Sequence, residues 1–197
     1  MSEAPDSINS PHSLPSAPDD VSKLPAATPL TRAALEIDEY AATLGWDLPA
    51  RLFALVDSAA LRKADPRIAS QLGLSEEDAA GLTPVEQDEL PAGMQLDKFL
   101  GTIAWPDAVA GCALVVERLM LPPGAEQSRP RNASDAQLAE WVANHPKREE
   151  VRITAAVLRN GKKEIALRLR SKDTAREVLT GPDLVPGLTD ALLATFS

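Results

Sequence analysis

Leu30, Ala33, Ile37, Tyr40 and Leu44 recur at the spacing of one helix face. Thr28 stands before Pro29, an N-cap followed by proline at the first helical position, and Gly45 closes the run. The run RLFALVDS (51–58) has no decisive period. Pro49 before it, Phe53 and Val56 within it, and a new N-cap signal at Asp57-Ser58 favour a strand. Short helical pieces should follow, broken at Pro66 and Gly73, and Thr83-Pro84-Val85-Glu86 reads as a capping box opening another. Residues 101–106 read as a strand stopped by Trp105-Pro106, 107–111 as a connection, and Cys112 to Leu121 as a central strand, apolar on both faces.

In the second half, Ser134-Asp135-Ala136-Gln137 is a capping box, and Leu138, Trp141, Val142 and His145 share the face of the helix it opens. Pro146 ends that helix. VRITAAVLRNGKKEIALRLR (151–170) is a hairpin whose register can be argued. A two-residue Asn160-Gly161 loop would mix core and solvent residues on both faces. A three-residue loop with Gly161 in the left-handed position pairs Ala155 with Ile165, Ile153 with Leu167 and Val151 with Leu169, one clean apolar face. Val185, Leu188, Leu192 and Phe196 mark a last helix over 184–196.

This order predicts an α+β fold: a largely antiparallel, four- to five-stranded sheet with helices packed on one face. The order alone is similar to small secretion-chaperone-like domains. Residues 29–197 suit a single domain. Residues 1–28 read as a disordered tail, because prolines and serines dominate it and large apolar residues are nearly absent.

Composition removes several function classes. The N-terminus lacks the basic start and apolar stretch of a secretory signal, and the longest uncharged apolar run, Ala108 to Val116, is far short of a spanning helix. No membrane association is expected, and one cysteine demands no oxidising compartment, so the reading is cytoplasmic. A net charge of −9 makes nucleic acid an improbable partner. No metal or cofactor motif stands out: two histidines and one cysteine make a poor ligand set. Oligomeric state stays open.

Candidate chemistry gathers at two places. Trp105, Asp107, Cys112 and Glu117 are the candidates for a small-molecule pocket. Against it, Cys112 has no histidine base nearby in sequence and suits a packed core. Glu117 and Arg118 must fall on opposite faces of their strand; either it reaches the rim there or a buried ion needs a partner, and the rim is favoured.

The second place is electrostatic. Residues 147–176 hold ten Lys or Arg against four Asp or Glu, a net of +6, while the remainder nets −15. The hairpin register sets Arg152 opposite Arg168 on the outer face and aligns Glu150 with Arg170 and Arg148 with Lys172. Like charges across a sheet call for neutralisation, by an acidic partner, a phosphate or the chain's own acidic segments. Arg152, Arg168, Arg170, Lys162 and Lys163 are therefore the partner-binding candidates. The first functional expectation is a non-catalytic protein-interaction module, adaptor- or chaperone-like, that binds an acidic protein through this basic face. The alternative is a small-molecule enzyme or binder at Trp105 and Cys112.

Four segments, LTRAALEIDEYAATLGWDLPARLFALVDSAAL, LTPVEQDELPAG, GTIAWPDAVAGCALVVERLMLPP and LVPGLTDALLATF, together resemble an uncharacterised family of small single-domain actinobacterial proteins. The likeness spans about residues 29 to 197. It implies a soluble protein, and it carries over no activity, cofactor or site residue.

Overall fold

A computed structural model of the chain describes residues 27–74, 81–87, 94–122 and 124–197. The expected tail therefore lies almost wholly outside the described residues.

Helix α1 (Pro29–Leu44) forms as its signals dictate. The Thr28 hydroxyl accepts from the Thr31 amide, proline fills the first position, and Gly45 ends the helix at φ 93°. The chain then enters β1 (Arg51–Asp57) and, with Asp57 as N-cap, α2 (Ser58–Ala64), followed by α3 (Pro66–Gln71). Next come β2 (Leu82–Glu86), α4 (Leu96–Leu100) and β3 (Val109–Met120). The Ser134 capping box opens α5 (Asp135–Asn144) as expected. The hairpin is β4 (Glu149–Leu158) with β5 (Lys163–Leu169), after which β6 (Leu179–Gly181) and α6 (Pro186–Ala194) follow.

The strands make one antiparallel sheet in the order β2-β1-β3-β4-β5-β6. The hairpin has the expected register: Ala155 faces Ile165, Ile153 faces Leu167 and Val151 faces Leu169. Gly161 takes φ 86° and returns its amide to the Leu158 carbonyl, the left-handed residue of a three-residue loop. The sheet has six strands against the expected four or five, and its two edges are the short strands β2 and β6. One of them, β2, replaces the capping box expected at Thr83–Glu86. Pairing with β1 overrides the local signal, Pro84 is tolerated at an edge, and the Thr83 hydroxyl bonds the Ser58 hydroxyl at 2.8 Å instead of capping a helix.

The strand expected at 101–106 is an irregular segment following α4. Two of its backbone carbonyls meet a side chain rather than a ladder: Arg159 donates to those of Trp105 at 3.0 Å and Pro106 at 2.8 Å, and also to that of Val109, the first residue of β3, at 2.8 Å. Strand β3 accordingly starts earlier than expected, at Val109.

Helices cover both faces of the sheet, not one. Alternation along β3 and β4 sorts the core into two layers. Cys112, Leu114, Val116, Ile153, Ala155 and Val157 pack with Leu100 of α4 and Leu192 of α6. Ala113, Val115 and Ala156 pack with Ala33, Ala34, Ile37 and Ala41 of α1. The small residues on both sides of this second layer let the long α1 lie close against the strands.

Candidate functional site

The expected basic face lies beneath α1. Glu117, Arg152 and Arg168 stand in one row across β3, β4 and β5, since Glu117 pairs with Arg152 and Arg152 with Arg168. Both arginines are buried, Arg152 at 0 % and Arg168 at 3 % exposed. This corrects the expectation of an outer, partner-facing surface at these two residues. The charges that neutralise them belong to this chain.

Arg152 donates through Nη2 to Glu117 Oε1 at 3.0 Å and to the Gly45 carbonyl. Arg168 gives Nε and Nη2 to Asp38 Oδ2 at 3.0 and 2.6 Å, and Nη1 to Asp173 Oδ1 at 3.2 Å. Trp46 closes the row from above. Its ring covers the Arg152 guanidinium at 4.4 Å and its Nε1 donates to Asp173 at 2.8 Å. Asp47, at φ 64°, donates its amide to Glu117 at 2.7 Å and accepts both Arg170 Nη groups at 3.0 Å. Arg170 also reaches Glu150, so the expected Glu150–Arg170 pairing occurs, although β5 has ended at Leu169; Arg148 and Lys172 lie outside the ladder.

These contacts shift the acids and bases apart. The Arg170 hydrogen bonds hold Asp47 below the ordinary carboxylate value. Asp173 is lowered chiefly by the Trp46 hydrogen bond and then by Arg168. Burial opposes the charge on Arg168, yet Asp38 and Asp173 outweigh it and leave its pKa raised. Three arginines thus meet five carboxylates, Asp38, Asp47, Glu117, Glu150 and Asp173, and an acidic partner would find its place occupied. Of the other basic candidates, Lys163 pairs with Asp190, and Lys162 is exposed beside the hairpin loop.

The expected pocket is not assembled. Trp105 and Cys112 do come together, around Thr195 of the C-terminal segment: Trp105 Nε1 donates to its hydroxyl at 2.8 Å, and Cys112 Sγ lies 3.9 Å from it. Phe196 stacks on Trp105 with centroids 6.1 Å apart, and Arg159 covers the Phe196 ring at 4.7 Å. The corner is filled with side chains. Burial pushes the Cys112 thiol up to about 12, so it stays protonated near neutral pH. Asp107 is exposed in the turn before β3. Glu117 lies on the opposite sheet face, five residues or roughly 17 Å along the strand. Arg118 is exposed and Glu117 only partly covered, which is the expected rim.

A groove opens on the α6 face. Leu96 and Leu100 of α4, Val116 of β3, and Val185, Leu188 and Ala191 at α6 line a space of about 350 Å³, with Asp97 and Arg118 also at its wall. Arg118 spends one hydrogen bond, at 3.3 Å, on the Glu117 carbonyl. A Cβ on Gly187, another lining residue, would meet nothing within 4 Å. Sequence reasoning missed this groove because its walls come from four separate segments. It missed Asp38 too, although a lone carboxylate between Ala34 and Ala41 on the inner stripe of α1 was a readable signal.

Among the described residues, no group of three or more His, Cys, Asp or Glu could hold a metal ion, and no helix is long and apolar enough to cross a membrane. The chain belongs to the PPA1309-like protein family, whose model matches residues 30–197. No curated protein and no solved structure matches it.

Proposed function

We propose that this member of the PPA1309-like family is a non-catalytic protein-interaction module of the cytoplasm, adaptor- or chaperone-like. The groove between α4 and α6 receives an apolar segment of a partner protein, and Arg118 pairs with an acidic residue of that segment. The observation that carries this reading is the groove itself, where apolar walls and an arginine without a carboxylate partner among the described residues meet. Arg152 and Arg168 take no part, because both are sealed.

Magnitudes divide the work between the two features. A fully buried leucine-sized side chain is worth about 1.5–3 kcal/mol. An exposed ion pair at the rim is worth about 0–1 kcal/mol. The apolar anchor therefore supplies affinity, and Arg118 supplies orientation and choice of partner. The protonated, enclosed Cys112 supports a non-catalytic role, and a chain whose one thiol is free and buried suits a reducing compartment.

The test uses the full-length tagged chain, purified from its native cells beside Gly187→Leu and Arg118→Glu, with circular dichroism as the folding control. A stoichiometric protein held by the parent, lost by Gly187→Leu and weakened by Arg118→Glu is the expected result. A partner held equally by all three, or no partner with the parent, overturns the reading.

A further inference from the structure

The row beneath α1 contains polar atoms that no described residue satisfies. Asp38 takes both Arg168 hydrogen bonds on Oδ2, and its Oδ1 accepts none. Arg152 commits Nη2, while among the described residues its Nε and Nη1 have no acceptor and the Thr154 hydroxyl has no partner. All three residues are sealed: Asp38 is 1 % exposed, Arg152 and Thr154 0 %.

Topology places these three residues in one layer, between α1 and β4. Residues 152 and 154 point to the same side of β4, the side that α1 covers. Helix α1 runs antiparallel to β4, since Gly45 accepts from Arg152 at one end while Thr28 and Leu158 share a groove at the other. Asp38, about two turns before Gly45, thus comes over the stretch 152–154.

The chemistry narrows what fits among them. Arg152 cannot give up its charge and can only donate, Asp38 can only accept while ionised, and Thr154 can do both. A cation would face two guanidinium groups, and an anion would face the Asp38 carboxylate. We propose a buried water-binding site in which one water accepts from Arg152, donates to Asp38 Oδ1 and bonds the Thr154 hydroxyl. A water needs a polar site with two to four partners, and this one supplies three. The bridge ties α1 to β4 and gives Arg152 a further hydrogen-bond acceptor beside Glu117. It stands independently of the proposed function.

A crystal structure of the full chain, together with denaturant unfolding of Thr154→Val, tests this. The expected density is one ordered water within hydrogen-bond distance of Asp38 Oδ1 and of Arg152 or Thr154. Thr154→Val keeps the shape and removes one of the water's bonds, so the folding equilibrium constant should fall roughly fivefold. A dry site, a direct Asp38–Arg152 pair, or a variant as stable as the parent overturns the proposal.

Discussion

Cys112 illustrates how environment rather than residue type decides reactivity. It lies in the central strand at 0 % exposure, beneath α6, with Thr195 as its polar neighbour. Desolvation disfavours the thiolate and the Thr195 contact offsets little of it, so near neutral pH the thiol is inert. Modification by a thiol reagent at pH 7.5 should therefore proceed at the rate at which the protein opens. It should rise with denaturant along the unfolding curve; fast labelling of the folded chain would contradict this placement. The arginines obey the same logic with the opposite sign. Burial of Arg168 is tolerated because Asp38 faces it in the same buried layer, and losing one partner of such a pair costs about 3–5 kcal/mol.

At the scale of elements, β3 and the hairpin set the positions of everything else. Gly111 sits where a Cβ would lie 2.2 Å from the Val157 carbonyl oxygen and 2.7 Å from a Leu158 methyl group. The backbone cannot yield there without breaking the β3–β4 ladder. Gly111→Ala should destabilise by about 1–3 kcal/mol, as overpacked cores do. Chemical denaturation measures it, and a midpoint equal to the parent's would show that the strands can separate. Local signals were faithful where an element's own residues close its hydrogen bonds. The caps of α1 and α5 and the three-residue hairpin loop are such cases. They failed where a neighbour intervened. Thr83–Glu86 carries a helix-start pattern but joins β1, and residues 101–106 look like a strand but give the Trp105 and Pro106 carbonyls to Arg159.

For the whole molecule, the clasp from Trp46 to Asp173 links the end of α1 to the far end of the hairpin, and it gives stability an acid limb. Asp47 and Asp173 have lowered pKa values in the folded state, so near their titration the folded chain binds fewer protons than the unfolded one. Their contribution is complete above the ordinary carboxylate value and disappears as pH falls through the lowered one. The thermal midpoint should decline on acidification below about pH 4. Asp47→Asn/Asp173→Asn should flatten that decline; an unchanged acid profile would assign it to other carboxylates.

The amino-acid sequence by itself determined the α+β class, the boundaries of α1 and α5, the hairpin register and the pairing of Arg152 with Arg168. Each follows from periodicity, caps or a turn, which act over a few residues. Tertiary structure alone decided that α1 would cover the arginines, that Asp38, Asp47 and Asp173 would neutralise them, and that α4 and α6 would leave a groove between them. Those outcomes depend on which faces are brought together across the chain, as Asp38 and Arg168 are over 130 positions. A pattern of charges shows that neutralisation is required; the packed fold decides which groups supply it.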